Sequence, residues 1–267
     1  MSHNILKGKK GIIFGALNEQ SIAWKAAVKA VEEGAEIVLT NTAMAVRLGT
    51  IKELAQQCNA PLIEADATSV ADLENLTDKA MEHFGGKFDF VLHAVGMSPN
   101  IRKGKPYTDV NYDFFFKTLD ISALSFHKLL QTLYKKDAVN EGGSIVALTY
   151  IAGDRAMLGY GDMADAKAML QSIMRNFGMI YGREKGVRVN TVSQSPTMTT
   201  AGQGISGLRQ MYDYVDSISP LGNASAEDCA DYVVTLFSDL TRKVTLQNLY
   251  NDGGFSSLLP FPYQTDH

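Results

Sequence analysis

Short apolar runs alternate with amphipathic stretches along the whole chain. The runs GIIFGA (11–16), EIVLT (36–40), PLIEAD (61–66), FDFVLHAVG (88–96), SIVALTY (144–150), VRVNTVS (187–193) and LQNLYND (246–252) predict strands. Helical spacing of apolar positions predicts helices over 21–34, 46–58, 70–84, 111–136, 160–181 and 226–238. FDFVLHAVG is almost continuously apolar, as expected of a strand buried on both faces of a parallel sheet. Repeated strand–helix units with single connections predict an α/β fold: a single-domain, doubly wound parallel sheet, Rossmann-like, over residues 1–267.

Composition narrows the picture only a little. The 267 residues are 45% hydrophobic and 20% charged, enough for one domain with a sizeable core. A formal net charge of −4 argues against bulk binding of nucleic acid or anionic membranes. No apolar run is long enough for a membrane span, and the N-terminal one is too short for a signal peptide. Cys58 and Cys229 match no metal spacing and read as reduced thiols of a cytoplasmic protein, and no metal is expected.

In such a sheet, ligands sit beyond the strand C-termini where strand order reverses, here after the first and fourth strands. The first turn, Gly15 to Ala23, lacks a full G-x-G-x-x-G, yet Gly15 supplies a tight exit. Ser21 falls where either a helix N-cap or a phosphate-binding hydroxyl would sit, with the helix N-terminus at Ile22 aimed at a pyrophosphate. Asn41-Thr42 places Thr42 at the end of the second strand but offers no carboxylate for a ribose. Arg47 follows either as a 2′-phosphate contact or as a solvated side chain, so the choice between NADH and NADPH leans only slightly to NADH. Asp66 suits either an adenine amino group or a helix start, and Gly96 either close ribose approach or a plain turn.

The run TYIAGDRAMLGYGDMADAKAML carries the candidate chemistry. Tyr160 and Lys167 are separated by about two helical turns and point the same way. A phenol can donate to an oxygen that gains negative charge, and an ammonium can hold a sugar hydroxyl and favour that charge. Thr197–Gly207, rich in Gly and Thr, reads as a substrate lid within about 194–218, or as a surface loop.

Together these residues resemble the bacterial enoyl-acyl-carrier-protein reductases, a divergent branch of the short-chain dehydrogenase/reductase superfamily. The resemblance is carried by G-x5-S-I-A at Gly15–Ala23, by Asp120-Ile121-Ser122-Ala123-Leu124-Ser125-Phe126, and by Tyr150, Tyr160 and Lys167 as Y-x9-Y-x6-K. It continues through EKGVRVN (184–190) and Asp252-Gly253-Gly254-Phe255, spanning about Lys7 to Ser257. It implies Gly15, Ser21, Ile22, Asp66, Ala67, Val95 and Lys167 at the cofactor, NADH, with Thr197, Met198, Thr199, Thr200 and Ala201 along its nicotinamide and pyrophosphate. It further implies Tyr150, Tyr160 and Ser98 at an enoyl thioester borne by acyl-carrier protein, and a homotetramer. The implied reaction is conjugate reduction, with Tyr160 hydrogen-bonded to the thioester oxygen and Tyr150 either gating the acyl chain or sharing that oxygen.

The chain also departs from the family pattern. Ser193-Gln194-Ser195-Pro196 replaces S-A-G-P, Met198 stands where a basic residue is common, and the helix after the lid keeps only Arg209 of several basic side chains. Arg102, Lys103 and Lys105 form another basic group, read either as a rim for an acidic carrier or as a solvated loop. Two other functions compete. A carbonyl or ketoacyl reductase would carry the tighter Y-x3-K, and a non-catalytic dinucleotide sensor would not require Tyr160 or Lys167.

Overall fold

Phe14, His93 and Thr149 end three neighbouring parallel strands, and that edge organises the molecule. The computed structural model describes residues 2–157, 159–199 and 208–259. Seven strands among them form one sheet: β1 (Lys10–Phe14), β2 (Glu36–Asn41), β3 (Leu62–Glu64), β4 (Phe88–His93), β5 (Val139–Thr149), β6 (Arg188–Gln194) and β7 (Asn248–Asn251). Their order is β3-β2-β1-β4-β5-β6-β7 and every pairing is parallel. The order reverses between β1 and β4, where Phe14 pairs with His93, as the sequence predicts for the ligand crevice.

The apolar alternation sorts the core into two layers. Ile12, Phe14 and Val91 face α4 (Val70–Phe84), α7 (Ser125–Lys135) and α8 (Gly161–Lys185), packing on Leu76, Phe126, Leu130 and Met174. Ile13, Leu39, Phe90 and Leu92 face α1 (Ile22–Glu32) and α10 (Ala226–Phe237), packing on Ala26, Ala27, Val233 and Phe237. Successive residues point to opposite faces, so a strand covered on both sides must be apolar throughout. Local signals end the helices. Ser225 and Asp228 form a reciprocal capping box at α10, and Gly186 closes α8 at φ +63°, where a side chain would be strained.

Several boundaries differ from the sequence reading. The expected helix over 46–58 is two, α2 (Ala43–Leu48) and α3 (Ile51–Gln57), because the Thr50 N–H turns to Leu17 O instead of continuing the helix. The helix expected over 111–136 comprises α6 (Tyr112–Leu119) and α7 joined by a π-helical turn, Asp120–Leu124. The short α5 (Pro99–Arg102) falls in a stretch read as irregular. The segment 194–218 is not all loop, since Gln194 belongs to β6 and Leu208–Ile218 forms α9.

Candidate active site

Two aromatic side chains meet beyond the C-terminal end of β5. Tyr150 follows the last residue of that strand and is 6% exposed, and half-buried Tyr160 is the N-cap of α8. Their ring centroids are 4.9 Å apart at an interplanar angle of 37°. The Tyr150 hydroxyl contacts Met211 Sδ of α9 at 3.5 Å. The Tyr160 hydroxyl has no hydrogen-bond partner among the described residues, although it packs on both Tyr150 and the core. Burial raises both phenols above the usual tyrosine range, and for Tyr150 the neighbouring Tyr160 and Asp252 add to it. Both are therefore neutral donors at pH 7.

Lys167 lies two turns along α8 and is 8% exposed. Its Nζ donates to Leu148 O of β5 at 2.9 Å, which fixes the ammonium at the sheet edge. Burial lowers its pKa from the ordinary 10.5 to about 8, so the group is still mostly charged at pH 7. A Cβ placed on Gly96 would lie 3.7 Å from Lys167 Nζ and 3.7 Å from Ser122 Oγ. The small residue after β4 thus lies directly against the buried ammonium. Ser122, on the π-helical turn, accepts from Met97 N at 3.0 Å and donates to Met97 O at 3.2 Å, clamping the chain beside Gly96. The widened turn puts this serine against the β4 loop, as π-turns commonly do at functional sites.

The residues predicted for a dinucleotide fit that group. Gly15 has φ +92°, and a Cβ there would lie 2.1 Å from Ala94 O, so only glycine lets the loops after β1 and β4 touch. Ser21 is the N-cap of α1 by position, but its hydroxyl does not cap. It accepts from Leu17 N and Asn18 N at 3.1 and 3.2 Å, folding the loop so that Ile22 opens the helix at the crevice. At the end of β2, Asn41 Nδ2 donates to Ala16 O and Thr42 caps α2 through Ala45 N. Asp66 is exposed, with Oδ1 accepting from Thr68 N and Oγ1, while Ala67 is buried beneath it. Val95 is half-buried beside Gly96.

Other predicted residues go elsewhere. Ser98 is buried, and its hydroxyl donates to Asp162 Oδ1 at 2.6 Å while accepting from Ile101 N. That hydroxyl serves a structural knot rather than an open pocket. Thr197 Oγ1 donates to Ser195 O and accepts from Gln194 Nε2, while Met198 and Thr199 are half-buried. Thr200 and Ala201, with most of the expected lid, lie outside the described residues.

Sequence reasoning missed Asp162, which is fully buried and has no cationic partner among the described residues. Asn100 Nδ2 donates to its Oδ2 at 2.8 Å, and Thr118 Oγ1 lies equally close to that oxygen. The carboxylate thereby ties the start of α8, two residues past Tyr160, to α5 and α6. An acidic residue in a first helical turn usually signals dipole complementation at a surface, so the sequence gives no hint of this burial. Ser122 was visible as part of a motif, but the π-turn that aims it leaves no mark in the pattern. Met211 lies in a helix that the lid reading absorbed.

Comparison with known proteins gives the family of the chain. Residues 15–256 match the family model described as enoyl-(acyl carrier protein) reductase. The chain is 35% identical over 257 residues to enoyl-[acyl-carrier-protein] reductase [NADH] 2 of Rhizobium meliloti, covering 95% of this chain and 94% of that protein. It is 33% identical to enoyl-[acyl-carrier-protein] reductase [NADH] FabI of Rickettsia typhi, covering 96% and 97% respectively. Among solved structures, a FabI–NADH complex from Alistipes finegoldii is 70% identical with a TM-score of 0.95, covering 96% of this chain and 90% of that one.

Proposed function

The chain belongs to the enoyl-(acyl carrier protein) reductase family, and from that membership we propose how its side chains perform the reaction. The enzyme reduces the carbon–carbon double bond of a trans-2-enoyl thioester, the last step of the fatty-acid elongation cycle, with NADH as reductant. The observation that carries the reading is the Tyr160 hydroxyl, unpartnered among the described residues and set two turns before a charged, buried Lys167.

NADH, when bound, supplies hydride to the β-carbon of the enoyl group. Gly15, Ile22, Asp66, Ala67, Val95 and Gly96 would hold it, and the α1 N-terminus would offer backbone N–H donors to its phosphates. Ser21 shapes that loop, and Thr42, Thr197, Met198 and Thr199 would complete the cofactor contacts. Hydride addition leaves negative charge on the thioester oxygen as an enolate, which collapses to the saturated thioester when the α-carbon takes a proton from water. The Tyr160 phenol, kept neutral by burial, donates to that oxygen and strengthens the bond as charge develops. Lys167 donates one N–H to Leu148 O and would hold a ribose hydroxyl with another, while its positive charge would steady the enolate. Tyr150 packs on Tyr160, fixes its ring and borders the acyl chain. Ser98 acts through Asp162 to hold the start of α8.

The thioester is borne by acyl-carrier protein, and the enzyme works in the cytoplasm as a homotetramer. Free, buried Cys58 and Cys229 support that compartment, and no described helix is long and apolar enough to cross a membrane. Exposed Tyr112 and Phe116 on α6, at 70% and 65%, support association through the outer helices, which sedimentation at the mass of a single chain would refute. The reaction itself is tested by following NADH absorbance. Turnover with a medium-chain trans-2-enoyl thioester and none with the matching ketoacyl thioester is expected. The reverse preference would replace the reading with carbonyl reduction.

A further inference from the structure

We propose that the basic segment Arg102–Lys105 is the surface on which an acidic carrier protein docks, with α5 rather than α9 forming the charged side of the substrate entrance. The inference rests on the enoyl reductase reading and specifies where its macromolecular substrate binds.

Residues 99–105 carry three cations and no anion in a chain whose net charge is −4. An acidic partner is repelled by such a protein as a whole, so productive encounter needs a local patch of opposite sign. Arg102, Lys103 and Lys105 are all exposed. Arg102 has no ion-pair partner among the described residues. Lys103 Nζ stands 4.4 Å over the Phe114 ring, and of the three only Lys105 is in an ion pair, at 3.4 Å with Asp109.

By contrast, α9, which touches Tyr150 through Met211, is unsuited to an acidic partner. Its single cation, Arg209, is bound to Asp213 at 3.0 Å, and Asp216 adds further negative charge.

The basic patch is also tied rigidly to the chemistry. Ser98 caps α5 and donates to Asp162, Asn100 donates to the same carboxylate, and buried Ile101 lies 3.7 Å from where a Cβ on Gly161 would sit. Gly161 follows Tyr160 directly. A carrier held on Arg102 and Lys103 therefore rests against the same short segment that presents the catalytic phenol, and its flexible thioester arm enters beside it.

The test compares one enoyl group on two supports, acyl-carrier protein and uncharged pantetheine. The variant combining Arg102→Glu, Lys103→Glu and Lys105→Glu should raise KM for the carrier-borne substrate about tenfold or more at low salt, as charge reversal at a steering surface does. The effect should shrink as ionic strength rises toward about 0.5 M, where screening is strong. Kinetics with the pantetheine thioester should stay at the wild-type level, which also shows that the variant is folded. Arg102→Glu alone should raise the carrier KM about threefold, and Arg209→Glu should leave it unchanged. An unaltered carrier KM in the triple variant, or an equal rise for Arg209→Glu, would overturn the proposal. So would equal losses with both substrates, since these would mean a damaged site. A wild-type enzyme inactive on both substrates would instead refute the reductase reading beneath it.

Discussion

Lys167 shows how a single side chain links stability to chemistry. Its folded pKa of about 8 lies below the ordinary 10.5 because the ammonium is buried. Between those values the unfolded chain holds a proton that the folded chain has released, so this residue's contribution to stability rises with pH. Below about pH 8 the burial cost is present in full, and a shift of this size corresponds to up to about 3 kcal/mol. Lys167→Met should therefore abolish turnover yet make the cofactor-free protein about 1–3 kcal/mol more stable at pH 7, allowing for the lost bond to Leu148 O. Urea unfolding should show that advantage closing as pH approaches 10.5. In the wild type, kcat/KM should fall as pH rises through about 8, and a flat profile across that range would remove the charge from the mechanism. That Tyr160 stands at the start of α8 and Lys167 two turns along it was legible from the helical pattern. The Lys167 bond to Leu148 O was not, because it joins two elements whose register only the sheet determines.

At the scale of elements, the start of α8 is held by a buried carboxylate rather than by an ordinary cap. Tyr160 is the N-cap by position and makes no side-chain capping bond, and Asp162 supplies the anchoring through Ser98, Asn100 and Thr118. Asp162→Asn would turn an amide N–H toward groups that already donate. A destabilisation of about 2–4 kcal/mol is expected from breaking a buried charged network, read from the urea midpoint. Wild-type stability in that variant would show that the knot carries no weight. Strand positions and helix types followed from the alternation of apolar residues, since both faces of this sheet are covered. What escaped were features set by single hydrogen bonds. Examples are the break at Gly49-Thr50, where Leu17 O captures the Thr50 amide, and the π-turn that aims Ser122 at Met97. Ser98 is the instructive case. Its position beside the site was legible, but the hydroxyl's partner lies 64 residues away, and nothing local distinguishes such a serine from one that meets a ligand.

At the scale of the whole molecule, the strand order does the assembling. With β1, β4 and β5 adjacent and parallel, three loops far apart in sequence open on one edge. Gly15, Gly96 and Tyr150 arrive there without any contact between neighbouring residues of the chain. The topology was legible from repeated βα units, and so was the point after β1 and β4 where strand order reverses. The residues that cover it were less so, because α9 and the segment before it have no periodicity that distinguishes lid from loop. The central claim is that the Tyr160 hydroxyl stabilises charge on the thioester oxygen. It is tested most directly by the turnover of Tyr160→Phe with a trans-2-enoyl thioester and NADH. Loss of one donor to a developing oxyanion predicts a fall in kcat of about 10²–10³ with KM little changed. Wild-type kcat in the folded variant would contradict it.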